Sequence, residues 1–333
     1  MSAAPQRPSE DELIARFFAS WAGEGGLDLA DDAALLRPAS GQDLVLTVDA
    51  VVAGVHFFPD DPPPAVGHKA LAVNMSDLAA KGAAPTGFVL SLALPGDWTE
   101  AWLAGFAQGL RQAAEAFGCP LVGGDTVRTP GPLAISITAL GQVPHGEMVR
   151  RGAARPGDRL CVTGTIGDAA LGLVLRRHPD LPWAARLSPA AREHLIDRYL
   201  RPRPRLQVAE ALRRHATAAM DVSDGLAGDL GKMMRASGAS ADVDLAAIPL
   251  SQPARAALTA DNKGTIDALV TGGDDYEVLC AVPDDRIASF IAAAASVGVP
   301  VTVIGTVVER CGLPVFRDGL VERRYELGSY HHF

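Results

Sequence analysis

Apolar segments along this chain repeatedly end in aspartate, most often beside a glycine turn. The series reads Asp31-Asp32, Thr47-Val48-Asp49, Asn74-Met75-Ser76-Asp77, Gly123-Gly124-Asp125, Asp221-Val222-Ser223-Asp224-Gly225 and Gly272-Gly273-Asp274-Asp275. A carboxylate at the edge of an apolar segment is costly unless a partner neutralises it. Too few Lys and Arg stand correctly placed nearby, so hard divalent cations, which take oxygen ligands, are the expected partners. A fold that gathers several Mg²⁺ ions on carboxylates points to phosphate chemistry.

The balance of charge agrees. The chain carries a net charge of −9, which argues against nucleic acid as a partner, since that needs a basic face. An acidic protein that handles phosphates needs cations as bridges. A length of 333 residues predicts two domains. Hydrophobic residues make up 48% but aromatic residues only 5%, so Ala-rich helices on Val/Leu strands are expected. Cys119, Cys161, Cys280 and Cys311 are scattered, which reads as reduced thiols of a cytoplasmic protein. No apolar run reaches membrane-spanning length, and the polar first eleven residues lack the apolar stretch of a signal peptide.

Periodicity divides the chain into elements. A helix is expected over 12–21. Over 43–52 the alternation predicts a strand with Leu44, Leu46 and Val48 on one face and Val45, Thr47 and Asp49 on the other. A buried helix is expected over 65–81, with Asp77 on its apolar stripe, where a lone acid needs pairing or a metal. A strand over 88–94 precedes a helix that starts with Asp97 and Glu100 as a capping box and ends at Gly118. A short strand over 120–122 should stop at Gly123-Gly124-Asp125, before another over 133–143. Further on, a strand over 159–163 leads through Gly164-Thr165-Ile166-Gly167 into a helix. That loop looks like a phosphate cradle but lacks the Lys of a P-loop, so a strand-to-helix turn is the better reading. Ser188-Pro189 caps another helix. Arg201-Pro202-Arg203-Pro204-Arg205 reads as a stiff structural connector. A helix over 224–237 ends at Gly238, and 276–308 reads strand, helix, strand. The fold class is α/β (α+β) in two layers of domains. The boundaries fall as 1–27 tail and helix, 28–146 N-terminal domain, 150–310 C-terminal domain and 311–333 C-terminal segment. Gly123-Gly124-Asp125 and Gly272-Gly273-Asp274 are expected at similar strand ends, one per domain.

These segments resemble the thiamine-monophosphate kinase family, within the superfamily of aminoimidazole ribonucleotide synthetase and selenophosphate synthetase. The match is carried nearly end to end by Asp31-Asp32-Ala33-Ala34, Thr47-Val48-Asp49 with Gly54-Val55-His56-Phe57, and Lys69 to Ala80 with its Asn74-Met75-Ser76-Asp77-Leu78-Ala79-Ala80. It continues through Gly123-Gly124-Asp125-Thr126, Arg155-Pro156-Gly157-Asp158, Asp221-Val222-Ser223-Asp224-Gly225-Leu226 and Gly272-Gly273-Asp274-Asp275-Tyr276-Glu277. The resemblance implies a two-domain fold whose N-terminal domain carries a mixed sheet and the interface of a homodimer. It implies ATP-dependent, direct in-line phosphorylation of thiamine monophosphate to thiamine diphosphate, the final step in making that cofactor. Mg²⁺ would be held by Asp32, Thr47, Asp49, Asp77, Asp125 and Asp221 with the Val48 backbone, and a further ion by Asp224. ATP would be contacted by Gly124, Asp125, Arg150 and Ser223; the thiamine phosphate by His56, Asp274 and Tyr330. No side chain is expected to act as a covalent catalyst. The chain departs from the family pattern at Ala30, usually Gly, and at Asp274, usually Glu and one methylene longer.

Each of these aspartates alone reads as a cap or turn residue, except Asp77, which stands in mid-helix where capping is not available; the set reads as a shared metal site. The rival readings are another enzyme of the superfamily and a non-catalytic metal- or nucleotide-binding protein. A selenophosphate-type enzyme would want a reactive Cys near the N-terminus, and the first here is Cys119. The D-x-D-x-D-G loop of calcium modules is absent.

Overall fold

The computed structural model describes residues 8–31, 33–260, 266–326 and 328. The chain divides into two compact units, residues 1–74 with 85–142, and residues 75–84 with 143–333.

The first unit opens with α1 (Glu10–Phe17), closed by a Ser9/Glu12 capping box. It continues with β1 (Gln42–Val52), α2 (Pro63–Ala80), β2 (Ala84–Leu94), α3 (Glu100–Phe117), β3 (Leu121–Arg128) and β4 (Ala134–Pro144). The strands form one sheet in the order β1-β4-β2-β3. In β1, Val45 and Val51 are buried while Leu44, Leu46 and Val48 are exposed, as the alternation predicts. Helix α2 has apolar residues all round, and Leu71, Met75, Leu78 and Ala79 are fully buried. It meets α3 at glycines: a Cβ on Gly67 would lie 2.3 Å from Phe106 O, and one on Gly109 2.0 Å from Pro64 O. Backbone packs directly on backbone there.

Two expectations change. The N-cap of α3 is Thr99, whose side chain accepts from Trp102 N–H, rather than Asp97. Strand β3 does not stop at the glycines but runs through Gly123-Gly124-Asp125, pairing in parallel with β2.

The second unit contains β5 (Arg159–Thr163), α4 (Asp168–Arg177), α5 (Pro189–Leu200), α6 (Ala209–His215), β6 (Ala218–Val222), α7 (Leu226–Ser237), β7 (Ser240–Asp244), α8 (Gln252–Ala260), α9 (Ile266–Thr271), β8 (Glu277–Val282), α10 (Ile287–Ser296), β9 (Val301–Val308), β10 (Val315–Asp318) and β11 (Val321–Arg323). Its sheet runs β11-β10-β7-β9-β5-β8-β6. The β10–β7 pair is parallel, and the β10–β11, β7–β9, β5–β9, β5–β8 and β6–β8 pairs are antiparallel. One face is covered by α7, through Leu226, Leu230, Met233 and Met234. The other carries Val208, Leu212 and Phe290 against Cys161, Ala219 and Cys280. Ser188 caps α5 with Pro189 at its first turn, and Gly238 ends α7 in the left-handed region. Because Gly272-Gly273-Asp274 lies before β8 while Gly123-Gly124-Asp125 lies inside β3, the two triplets do not occupy matching strand ends.

Candidate functional site

In the first unit, Thr47 and Asp49 share the inward face of β1 and are half-buried, while Val48 faces out. Asp49 N–H donates to Asn74 Oδ1 at 3.1 Å, and Asn74 Nδ2 donates to Ala70 O at 3.2 Å. Asn74 is fully buried, and these bonds satisfy it while tying α2 to the Asp49 backbone. The sequence signal for this link was a single amide in an otherwise apolar stretch of helix.

Beyond β1 the chain turns at Gly54, whose φ of 81° needs glycine. His56 Nδ1 accepts from Val52 N–H at 3.0 Å, which puts the proton of a neutral ring on Nε2. The buried Lys69 donates to His56 O at 3.1 Å. The histidine is therefore oriented by its own turn.

Gly124 and Asp125 lie opposite Leu90 and Ser91 of β2. A Cβ on Gly124 would sit 2.2 Å from Leu90 O, so this register admits only glycine. They border a cavity of about 370 Å³ that also touches Phe18, Leu29, Asp31 and Leu90. Leu27, Asp28 and Leu29 all have positive φ, an unusual run of strained non-glycine residues that swings the chain towards this cavity. The next residue, Ala30, has φ −109° and ψ 0°, so the departure from glycine there costs no strain.

In the second unit, Asp77 is half-buried near the end of α2 and Asp221 is buried in β6. Lys81 stands with them, donating to Ala219 O at 2.7 Å. Burial and the neighbouring Arg151 hold its pKa below the ordinary lysine value, against the pull of Asp221 and Asp77. Arg150 is exposed, and its carbonyl accepts from Ala219 N–H at the same strand.

The turn after β6 is clamped by Asp229 of α7. Its Oδ2 accepts three successive backbone N–H groups, from Ser223 at 3.0 Å, Asp224 at 2.9 Å and Gly225 at 3.2 Å. Lys232 donates to both Asp229 and Asp224. The expectation that the aspartates lack basic partners is therefore corrected: Asp224 has Lys232, and Asp77 and Asp221 have Lys81. Both cations lie close in sequence to the acids they offset, Lys81 just past the end of α2 that carries Asp77 and Lys232 on the helix that follows Asp224.

The Gly272–Tyr276 loop is laced onto this turn. Asp274 N–H donates to Ser223 O and Tyr276 N–H to Val222 O, both at 2.8 Å. A Cβ on Gly273 would lie 2.4 Å from Ser223 O. Ser223, Asp224 and Asp274 thus share one turn, with Asp221 preceding it in β6. Asp274 and Tyr276 hold φ values of 70° and 52°, and Tyr276 Oη donates to Asp274 Oδ1 at 3.3 Å.

The Gly164–Gly167 segment is a strand-to-helix turn, and its cradle is filled from within. Asp275, fully buried, accepts from Gly167 N–H at 2.7 Å and Ala169 N–H at 3.4 Å. A Cβ on Gly164 would run into the Glu277–Arg205 pair. The arginines of the connector are structural, Arg201 and Arg203 pairing with Asp197 and Arg205 with Glu277.

Asp32 and Tyr330 lie outside the described residues. Among the described residues, no three His, Cys, Asp or Glu side chains converge as a closed metal cage. The donor set still suits Mg²⁺, being all oxygen. That ion keeps waters and substrate phosphates in its shell and takes only one or two carboxylates at a time. No helix among the described residues is long and apolar enough to cross a membrane.

Two mixed sheets, glycine-gated acidic turns and an oxygen donor set define the AIR synthase related class. Residues 30–143 match the family described as AIR synthase related protein, N-terminal domain, and residues 155–317 its C-terminal domain. The thiamine-monophosphate kinase of Caulobacter vibrioides is 43% identical over 99% of this chain and 92% of its own length. The crystal structure of thiamine-monophosphate kinase from Stenotrophomonas maltophilia superposes with a TM-score of 0.76 at 40% identity, covering 85% of this chain and 88% of that one. The structure of AaThiL complexed with AMPPCP and TMP gives a TM-score of 0.77 at 31% identity, covering 89% of each. The chain belongs to the thiamine-monophosphate kinase family.

Proposed function

We propose that this chain transfers the γ-phosphoryl group of ATP directly to the phosphate of thiamine monophosphate, giving thiamine diphosphate and ADP. The observation that carries this reading is the near end-to-end likeness to thiamine-monophosphate kinases. Both substrates are anionic, so the chain's task is to position two phosphates and offset their charge. Gly124, Asp125, Arg150 and Ser223 would contact ATP. Arg150 suits this because a guanidinium grips phosphate oxygens with two parallel bonds. His56, Asp274 and Tyr330 would contact the acceptor, His56 with its Nε2 proton and Tyr330 by stacking on a thiamine ring.

Thr47, the Val48 carbonyl, Asp49 and Asp125 in the first unit, with Asp32, would hold Mg²⁺. In the second unit Asp77, Asp221 and Asp224 would do so, Asp224 in exchange for its bond to Lys232. When bound, the ions supply the charge neutralisation that lets two phosphates meet. The working form is a homodimer formed through the exposed face of β1, and four free thiols fit a cytoplasmic protein.

The test is ADP release with and without thiamine monophosphate. The expected result is turnover only with the phosphorylated acceptor and none with thiamine. Efficient thiamine phosphorylation sinks the assignment of acceptor. With a chiral, isotopically labelled γ-thiophosphate, direct transfer gives net inversion at phosphorus; net retention would show a phosphoenzyme.

A further inference from the structure

The loop bearing Asp274 alternates in a way its sequence does not announce. Asp274 and Tyr276 are half-buried and left-handed, whereas Asp275 and Glu277 are fully buried. Non-glycine residues hold that region only when their surroundings over-determine it. Two backbone bonds to the Val222-Ser223 segment do part of this. The rest comes from below, where Glu277 accepts from Thr163 Oγ1 at 2.7 Å, Arg205 Nε at 2.6 Å and Arg198 Nη2 at 3.0 Å.

Arg198 differs from the other two. Its Nη2 also donates to Asp275 O at 3.2 Å, so one nitrogen holds both the backbone of the strained loop and the carboxylate that follows it. Arg198 is only 3% exposed, and its Nη1 has no partner among the described residues. A buried guanidinium with an unmatched nitrogen is a poor choice for stability alone, because the desolvation of that donor goes uncompensated. Arg205 by contrast spends its fork on Glu277 and, among the described residues, donates to no loop carbonyl.

We infer that Arg198 is a positioning residue for the acceptor site: it staples the loop from beneath so that Asp274 and Tyr276 keep their left-handed presentation. This rests on the reading above that Asp274 contacts thiamine monophosphate.

The test compares Arg198→Lys, Arg205→Lys and Asp274→Ala in the full chain. Arg198→Lys keeps a positive charge near Glu277 but loses the planar geometry that spans to Asp275 O. The expected result is a rise of about tenfold in KM for thiamine monophosphate, the scale of a small misplacement, with KM for ATP within about twofold. Hydrogen–deuterium exchange should quicken at the Asp274 and Tyr276 amides. Arg205→Lys should lower Tm without splitting the two KM values. Should Arg198→Lys fail to fold, Arg198→Gln is judged by the same readouts. A raised KM in Asp274→Ala with unchanged KM and loop exchange in Arg198→Lys overturns the staple, as does an equal rise in both KM values. An unchanged KM in Asp274→Ala with faster loop exchange in Arg198→Lys removes Asp274 from the acceptor site and leaves the staple standing.

Discussion

At the scale of single residues, the acids divide by what offsets them. Asp77 and Asp221 share Lys81, whose lowered pKa reflects burial first and Arg151 second. Asp77→Asn keeps the shape of the side chain but removes a charge from a proposed ligand set. Even supporting residues of metal sites commonly cost 10–100-fold when changed, so activity should fall at least about tenfold while Tm changes little. ADP release across a Mg²⁺ titration is the measurement; wild-type rates throughout would remove Asp77 from the ligands. Asp275 is offset differently. Burial pushes its pKa well above the ordinary carboxylate value of about 3.9, against the Gly167 N–H and Arg198 that favour the charged form. A raised folded-state pKa means that stabilisation is full below the unfolded value and is lost as pH rises through the folded one. The Tm of wild type minus that of Asp275→Asn should therefore fall as pH is raised from about 4. A difference that stays flat or grows contradicts this.

At the scale of elements, glycine decides how closely backbones meet. In an exposed helix Gly→Ala is stabilising. At Gly109 the added methyl would meet Pro64 O at 2.0 Å and Pro64 Cα at 2.4 Å. Gly109→Ala should therefore cost about 1–3 kcal/mol in urea unfolding. Gly105→Ala, whose nearest neighbour would be Pro63 Cβ at 3.1 Å, should cost less. Equal stability of the two would show that α2 and α3 part freely. The same elements show what the amino-acid order reveals. The phase of β1 was legible because its residues alternate, and the caps at Ser188, Gly118 and Gly238 because they are local. Strand β3 was not legible through Gly123-Gly124-Asp125, since its strand character comes from pairing with β2. Strand β6 is buried at every position and so shows no alternation. Within the site, the acids stood out as residue types, but not all their partners did: Lys232 lies 8 residues from Asp224, whereas Arg205 lies 72 from Glu277. Long-range pairing leaves no periodic trace.

At the scale of the whole molecule, β1 ends its sheet and shows solvent Leu44 at 49%, Leu46 at 62% and Val48 at 62% exposure. A bare apolar strand at a sheet edge is a liability that proteins cover or charge. The homodimer proposed through this face covers it. Leu46→Lys should halve the mass seen by light scattering and leave Tm no longer dependent on protein concentration. A variant that stays dimeric would move the interface elsewhere. The edge also bears on how the protein behaves before assembly. If that homodimer is the working form, each newly folded chain leaves Leu44, Leu46 and Val48 facing solvent until a second copy covers them, and any extended chain of similar pattern competes for that face. Recovery on refolding is then a race between two second-order encounters, one productive and one leading to insoluble material, and yield depends on which partner is more abundant rather than on how well either unit folds.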